Sequence, residues 1–413
     1  MPDSLFGNFP DIDKLLEKLL NNPYRSSEFT NLHIHTPFSF SAFSSVSEAV
    51  KLAYEQNIKI LGISDFNTTK GYKEFTNHCL KRRIFPVCCM ETIALSIEDQ
   101  KQNIRWNDPS NPGRIYFSGK GLKYPLEISP ETSQRLERLS EAMGNRTHKM
   151  LNKLNEHLKQ VLPDIKLDYE YIRDNMTKGT VRERHLAKAL QQSLYDKFSD
   201  TKQLKEAIAK LYDTSGKADV NDKVSIQNEL RSNLLKAGKV AFVEEKPESY
   251  LSMEEAKNLM LDMGGIPCYP VLADDSKGEL NEAEKTPDYL CDQLLDKGIY
   301  CVEFIPTRNR IELLKDYVSV FRDNGIIMVA GTEHNTPKME SMVPMCKGDV
   351  PMDEELKEIF WKGACIIAGH QFLISINEDG FVDNNGERTI KDNSQLESLG
   401  EAVVSYYMEN TKE

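Results

Sequence analysis

The sequence lacks the marks of a membrane, secreted or disulfide-bonded protein. No apolar run reaches the length of about 20 residues that a membrane-spanning helix needs, and the first residues, MPDSLFGNFPDIDKLL, lack a basic segment followed by an apolar one. None of the eight cysteines forms a CxxC pair, and several, such as Cys88, Cys89 and Cys301, lie in apolar runs. We therefore expect reduced, buried thiols and a cytoplasmic protein with no membrane partner.

Positive charge is also in deficit. The 413 residues include 52 Lys and Arg against 64 Asp and Glu, which gives a net charge of -12. Such a surface repels phosphate backbones, so we expect no nucleic-acid partner. A small anionic substrate is still allowed, because a basic pocket or a metal ion reverses the field locally. Hydrophobic residues make up 39% of the chain, which predicts a globular protein with a large core.

Strand and helix patterns alternate along much of the chain. Residues 29–36 (FTNLHIHT) alternate as a strand does, and the runs IKILGIS and IFPVCCM are typical of buried strands with helices between them. The alternation returns after residue 250 and ends with the strand pattern of residues 326–332. This order predicts an α/β fold with a parallel sheet and right-handed crossovers.

Two charged, strand-poor stretches interrupt the pattern and predict helical insertions that form a cap. The tail predicts a helix over residues 352–368 and then an acidic, mobile stretch. The predicted organisation is an N-terminal helix in residues 1–28, a barrel of residues 29–96, 178–192 and 250–346, insertions at 97–177 and 193–249, and a C-terminal helix and tail in residues 347–413.

Metal-binding side chains follow the predicted strands. His33 and His35 are two residues apart on a strand end, so both imidazoles point to one side. Asp65, Glu91 and Glu333 end further strands, and the carboxyl ends of parallel strands share one face. Imidazole and carboxylate groups bind Zn, Mn and Fe, so we predict one or two divalent metal ions.

Six sequence blocks extend this pattern: LHIHT, ILGISDFNT, PVCCMETIALS, VRERHLAKAL, GGIPCYPV and VAGTEHNTP. In order and rough spacing they resemble the PHP (polymerase and histidinol phosphatase) family of metal-dependent phosphoesterases. The resemblance implies a distorted (β/α)7 TIM-like barrel with two or three metals. It also implies that His33, His35, Glu91 and Glu333 hold the first metal, and that Glu91 bridges to a second metal held by His185.

The blocks depart from the family pattern at several ligand positions. Phe40, Phe66 and Asn335 stand where the resemblance would place ligands of a third metal. Tyr269 replaces a histidine and so weakens the second site; it is a packing residue, a weak ligand or a proton donor. These departures imply one or two metals rather than three.

The candidates also have structural explanations. His33 and His35 would form a buried hydrogen-bonded pair, and Asp65, which the resemblance makes either a ligand or an orienting group, would simply cap a turn. His185 would face solvent at a helix start, and His334 would pack unless a shifted register made it a ligand.

Four arginines are candidate anchors for a substrate anion, because guanidinium groups bind phosphate and carboxylate bidentately. Solvation at the surface is the expectation for at least two of them. The four are Arg182, Arg184, Arg308 and Arg310.

These features predict a metal-dependent hydrolase, with a phosphoesterase acting on a small phosphorylated metabolite as the leading hypothesis. Asp65, Glu91 and Tyr269 are its candidate catalytic residues. One alternative is a single-metal hydrolase, or an isomerase or lyase of a sugar acid or other small anion. Another is an inactive PHP-like binding protein. The sequence does not predict the oligomeric state.

Overall fold

The computed structural model of the protein describes residues 5–21, 27–212, 216–274 and 278–410. Seven strands form one sheet in which the spatial order follows the chain order. Their apolar side chains explain the burial, which is complete along the longest strand, the third. The strands are β1 (Phe29–Ile34), β2 (Ile58–Phe66), β3 (Phe85–Leu95), β4 (Arg114–Lys120), β5 (Ile266–Val271), β6 (Cys301–Phe304) and β7 (Ile327–Ala330).

The sheet curves into a nearly closed barrel. Neighbouring strands are parallel except at β4, which runs antiparallel to β3 and β5. The first and last strands meet at a bridge between Ile34 and Glu333. There the His35 N–H donates to the Glu333 carbonyl over 2.8 Å, and the Glu333 N–H donates to the His33 carbonyl over 2.8 Å. The predicted α/β TIM-like barrel with helical insertions is confirmed.

Fourteen helices are present in the described ranges, together with a two-stranded ribbon of β8 (Met345–Cys346) and β9 (Val350–Pro351). Several helices pack against the strands of the barrel. The helices are α1 (Ile12–Asn21), α2 (Val46–Glu55), α3 (Tyr72–Leu80), α4 (Ile97–Lys101), α5 (Pro130–Val161), α6 (Tyr169–Met176), α7 (Glu183–Lys197), α8 (Thr201–Tyr212), α9 (Lys223–Leu234), α10 (Met253–Asp262), α11 (Pro287–Asp296), α12 (Ile311–Asp323), α13 (Glu354–Ser375) and α14 (Asn393–Asn410).

Helices α5 to α9 form a helical unit with its own apolar core. Leu154 and Leu158 of α5, Leu190 of α7 and Leu230 of α9 belong to this core. Leu139, in the first half of α5, instead joins the core of the barrel, so this long helix spans both. Helix α7 packs in the helical unit, although its sequence block was assigned to the barrel.

Strand β4 lies in a stretch that the sequence assigned wholly to an insertion. It pairs with β3 from Met90↔Gly119 to Leu95↔Arg114, and with β5 at its far end. The barrel therefore includes residues 114–120. The antiparallel direction of β4 explains why the sequence did not predict it as a barrel strand, because such a strand breaks the alternation of strand and helix on which the prediction depended.

The prediction of a mobile C-terminal stretch is wrong for the residues that the structure describes. Helix α14 packs along α13 and against α1, and it buries Leu396, Val403 and Tyr407. Only residues 411–413 of the predicted stretch lie outside the described residues. The predicted N-terminal helix is observed as α1.

The eight cysteines are all free and buried, as predicted. Within the described ranges, none of the helices has both the length and the apolar character required to cross a lipid bilayer.

Candidate metal centre

Three predicted ligands converge at the end of β1. The Nε2 atoms of His33 and His35 are 3.2 Å apart, and His35 Nε2 is 3.4 Å from Glu91 Oε2. All three side chains are buried, with exposed fractions of 1%, 3% and 4%. Burial raises the pKa of Glu91, but the contact with His35 and the nearby imidazole of His33 outweigh it and lower that pKa overall. The ligand atoms of these residues lie within 4.8 Å of one another.

The other ring nitrogens are already engaged. His33 Nδ1 is 2.9 Å from Glu303 Oε1, and His35 Nδ1 is 3.1 Å from Ser39 Oγ. Glu303 is a charged acceptor: burial raises its pKa, but His33 and Lys120 outweigh this and lower the pKa to about 2. His33 therefore donates its Nδ1–H to Glu303, which leaves a lone pair on Nε2.

Glu303 is a functional residue that the sequence analysis missed. It is fully buried on β6, forms a short ion pair with Lys120 Nζ, and accepts a 3.2 Å hydrogen bond from Ser118 Oγ. Lys120 Nζ also donates to the Leu32 carbonyl over 3.2 Å. A carboxylate in the middle of an apolar strand was the available signal, since burying one without a partner is costly.

Asp65 lies behind His35 instead of beside the three ligands. Its carboxylate accepts from the Thr36 N–H over 2.7 Å, from the Thr36 hydroxyl, and from Ser39 Oγ over 2.6 Å. Burial raises the pKa of Asp65, although His35 and these donors oppose the shift. The structure thus gives Asp65 an orienting position, because it fixes the loop that carries His35 and Ser39.

Glu333 lies on the seam of the barrel, with a left-handed backbone (φ 59°) that turns the chain at the end of β7. Its carboxylate accepts from Arg308 over 2.6 Å and from Asn335 over 2.8 Å. It lines a cavity of about 460 Å³, which we call the main cavity. That cavity is lined by Glu91, Asn107, Asp108, Pro109, Tyr116, Pro270, Leu272, Asp274, Arg308, Glu333, Asn335 and Lys347.

His185 and His334 do not belong to the group of three, and three of their four ring nitrogens have other partners. His185 Nδ1 accepts from the Arg182 N–H over 3.0 Å, while burial and the charge of Arg182 lower its pKa to about 3. The neutral ring therefore carries its proton on Nε2, which makes it a donor. His334 Nδ1 is 2.8 Å from Thr332 Oγ1, its Nε2 is 3.2 Å from the Glu340 carbonyl, and the ring stacks on Phe43.

Tyr269 is fully buried and donates to Glu284 Oε1 over 2.8 Å. Glu284 also accepts from the backbone N–H groups of Leu272 and Ala273. Burial raises the pKa of Glu284 to about 7, although these donors lower it. This pair anchors the segment that forms one wall of the main cavity, and it gives Tyr269 a structural contact.

The four predicted arginines separate in the structure. Arg308 lines the main cavity, whereas Arg310 is exposed at the start of α12. Arg182 stacks 3.9 Å above the Phe66 ring, and Arg184 lies 5.6 Å from the Phe40 ring and donates to Asn228. Arg182 and Arg308 are thus placed near the metal ligands. Phe66, which lies under Arg182, is the register partner of Glu91, and Arg308 lines the same cavity as Glu91.

The residues present fit a divalent metal ion. Two imidazole Nε2 atoms and a carboxylate oxygen converge across little more than 3 Å, and with both Nδ1–H groups donated to Glu303 and Ser39 the two Nε2 lone pairs would be satisfied by a cation. Both imidazoles are held through their second nitrogen, as metal-binding histidines commonly are. Nitrogen and oxygen ligands in this ratio suit Zn, Mn or Fe.

Comparison with known proteins agrees with this geometry. Residues 31–220 match the PHP domain family model. A comparison with curated proteins gives no match. The chain is similar to a solved structure from Bifidobacterium adolescentis assigned as a metal-dependent phosphoesterase, with 16% identity, a TM-score of 0.52, and coverage of 81% of this chain and 96% of that chain. It is also similar to an amidohydrolase from Chromobacterium violaceum, with 14% identity, a TM-score of 0.49, and coverage of 80% and 96%.

At these identities the solved structure from Bifidobacterium adolescentis shows the fold alone, and the family match is the independent finding. Both agree with the ordered sequence blocks and with the seven-stranded barrel. The predicted resemblance is confirmed over residues 31–220, which match the PHP domain family model.

Proposed function

We propose that this protein is a metal-dependent hydrolase, and that its substrate is a small phosphate ester. The observation that carries the proposal is the group of His33, His35 and Glu91 at the edge of the main cavity, with Arg308 in the same cavity. A divalent ion held by this group supplies Lewis acidity and favours deprotonation of water near neutral pH. Everything else in the proposal concerns what the side chains of this chain do.

The main cavity offers positive charge for an anion. Arg308 gives one N–H to Glu333, and its guanidinium keeps further N–H groups for a phosphate oxygen. Lys347 is exposed at the same cavity and adds a second cation. A phosphate group between them would be oriented toward Glu91, which lines the cavity from the side of β3.

Arg182 supplies a third positive charge near the ligands. Its guanidinium lies over Phe66 and interacts electrostatically with Glu91 and Tyr116. Across the described part of the chain, no carboxylate forms an ion pair with it within 4.0 Å. A half-buried guanidinium of this kind is available to an anionic substrate. We assign phosphate binding to Arg182 and Arg308, and metal binding to His33, His35 and Glu91, with Glu333 as the adjacent carboxylate.

The proposal is tested by metal content and by phosphate release. Purified protein should hold about one equivalent of Zn, Mn or Fe, the number of ions that a single three-residue group binds. The metal-loaded protein should release inorganic phosphate from a panel of phosphomonoesters. His33→Ala should lose both metal and activity, Arg308→Met should keep the metal but lose most turnover, and His148→Ala, at an exposed histidine of α5, should change neither. Bound metal without phosphate release from any ester would exclude the phosphoesterase.

A single-metal hydrolase of a C–N or C–O bond is the second candidate. Over the described ranges, the only group of His, Cys, Asp and Glu with metal-binding spacing is this group of three. His334 has partners at both ring nitrogens, and His185 Nδ1 accepts from the Arg182 N–H. The same metal-loaded protein should therefore also be assayed on amides and lactones, where activity lost in His33→Ala without phosphatase activity would select this alternative.

A further inference from the structure

A second cavity, of about 290 Å³, lies between the barrel and the helical unit. The barrel contributes Phe66, Asn67 and Ile93, near the ends of β2 and β3. The helical unit contributes Ala142 and Met143 of α5. Residues 243–250, which return the chain from the helical unit to the barrel, form the third side. No part of this cavity belongs to the metal-binding group.

The second cavity adjoins the metal ligands on one face of the sheet. Phe66 is the register partner of Glu91, and Ile93 is the register partner of Tyr116. Register partners point to the same face, and so do residues two apart on one strand. Phe66 and Ile93, which line the second cavity, therefore share one face of the sheet with Glu91 and Tyr116, which line the main cavity. A molecule bound at the ligands has the second cavity directly beside it.

The lining indicates the chemistry of its occupant. Ile93 and Leu139 are 8% exposed, and together with Phe66, Met143 and Tyr250 they provide the apolar and aromatic part of the lining. Charged side chains of α5 and of residues 244–246 form much of the remainder of the wall. An apolar cavity of about 150 Å³ admits benzene, so this volume suits a bicyclic ring. Asn67 adds one polar requirement, because its buried amide oxygen has no hydrogen-bond partner in the described residues.

The third side is held in place by an ion-pair cluster. Glu245 accepts from Arg114 over 3.3 Å, lies 3.6 Å from Arg146, and accepts a short hydrogen bond from the Tyr250 hydroxyl. Arg146 also donates to the Val243 carbonyl over 2.9 Å. Because Arg114 lies on β4 and Arg146 on α5, the cluster connects residues 243–250 to both the barrel and the helical unit.

We propose that the second cavity binds the alcohol portion of the substrate, and that this portion is an aromatic or bulky apolar group with an N–H or O–H donor for Asn67. The proposal rests on the proposed function, since the phosphate end must lie at Arg308 and the metal ligands. It gives the helical unit a role in specificity, because α5 and residues 243–250 supply most of the wall. Phe66, which carries Arg182 on its ring, separates the two parts of the ligand.

Two non-hydrolysable probes test the subsite on the metal-loaded, full-length protein. Isothermal titration calorimetry would compare 1-naphthylmethylphosphonate with methylphosphonate. We expect the naphthyl compound to bind at least about tenfold more tightly, the gain typical of removing a ring from water. Ala142→Trp fills the second cavity without touching the metal ligands, so it should abolish the preference and leave methylphosphonate binding unchanged.

Ala237→Trp, at an exposed alanine that follows α9, is the matched control and should keep the preference. Met143→Phe reduces the cavity with a smaller change and serves if Ala142→Trp does not fold, as judged by circular dichroism. Equal binding of the two probes to the unaltered protein, or a preference that survives in a folded cavity-filling variant, overturns the subsite while the phosphate site stands. Failure of both probes to bind overturns the phosphate site and the subsite with it.

Discussion

At the scale of single residues, the position of His33 depends on a chain of buried charges. Lys120 forms an ion pair with Glu303, and Glu303 accepts the hydrogen bond from His33 Nδ1. All three side chains are at most 1% exposed. Burial lowers the pKa of both Lys120 and His33, but Glu303 outweighs it and raises each pKa overall. The hydrogen bond from Nδ1 to Glu303 favours the tautomer that leaves Nε2 free for a metal.

Replacing Glu303 should weaken metal binding without removing a metal ligand. In Glu303→Gln the amide is a poorer acceptor for His33, and we expect the metal dissociation constant to rise by about 10- to 100-fold. Competition with a chelating indicator measures it. Because Lys120 would be left without its counter-charge, the double variant Lys120→Met/Glu303→Gln is measured as well.

The exposed substitution Glu358→Gln on α13 is the matched control and should leave the constant unchanged. Unaltered metal affinity in the folded double variant would show that Glu303 does not act through His33.

Whether a site residue could be predicted depended on how far apart in sequence its contacting residues lie. His33 and His35 are near neighbours, so their spacing alone indicates convergence on one side of a strand. Glu303 is 270 residues from His33, and nothing in the local pattern joins them. The resemblance assigned His185 to a second metal. In the structure its Nδ1 accepts from the N–H of Arg182, a helix-start contact that composition does not reveal.

A second residue-scale prediction concerns acid stability and His370. This side chain is 1% exposed on α13, its Nε2 donates to the Gly264 carbonyl, and its Nδ1 accepts from the Phe381 N–H. Burial lowers its pKa to about 4, although the hydrogen bond to Gly264 opposes the shift. Between pH 4 and the ordinary pKa of about 6.5, the unfolded chain binds this proton and the folded chain does not.

The free energy of unfolding should therefore fall as the pH is lowered through this window, with His370 contributing up to about 1.4 kcal/mol per pH unit. Urea unfolding between pH 4.5 and pH 7.5 measures the slope. His370→Gln should make the slope shallower, and His148→Gln, at an exposed histidine, should not. Parallel slopes for His370→Gln and the unaltered protein would contradict the assignment.

At the scale of elements, the strands that follow the β–α alternation were predictable and the exceptions were not. Apolar runs marked β2 and β3, whose burial is nearly complete. Strand β4 (RIYFSGK) alternates only weakly, and it pairs with a strand on each side, β3 and β5. Helix α14 has acidic residues throughout, and small residues such as Gly400 make its contact with α13. Neither feature is visible without the partner element.

The close contact of α14 with α13 gives a stability prediction. A Cβ atom at Gly400 would lie 1.7 Å from the Cys365 carbonyl oxygen, so the helices would have to separate. Gly400→Ala should lower the free energy of unfolding by about 1–3 kcal/mol, the usual cost of overpacking a core.

Gly144→Ala on α5 is the control, because the nearest atom to its Cβ would be the Tyr169 hydroxyl at 3.4 Å. The same substitution there should raise stability by up to about 1 kcal/mol through helix propensity. Urea denaturation compares the two. A stabilising effect at both positions would show that the α13–α14 contact tolerates separation.

At the scale of the whole molecule, the barrel and the helical unit are joined by a continuous helix and by the cluster around Glu245. Helix α5 contributes Leu139 to one core and Leu154 to the other. The metal ligands depend only on the barrel, whereas the second cavity needs both bodies. Changes within the helical core are therefore expected to alter ligand preference before they alter metal content.

The seam between β1 and β7 also determines when the metal site can be completed. His33 is made early in synthesis, but its partner Glu303 and the seam residue Glu333 follow some 270 and 300 residues later. An emerging chain therefore carries both histidines long before anything fixes their orientation. We expect metal uptake during refolding, followed with a metal-sensitive dye, to coincide with the last kinetic phase. Uptake in an early phase would show that the ligands assemble before the barrel closes.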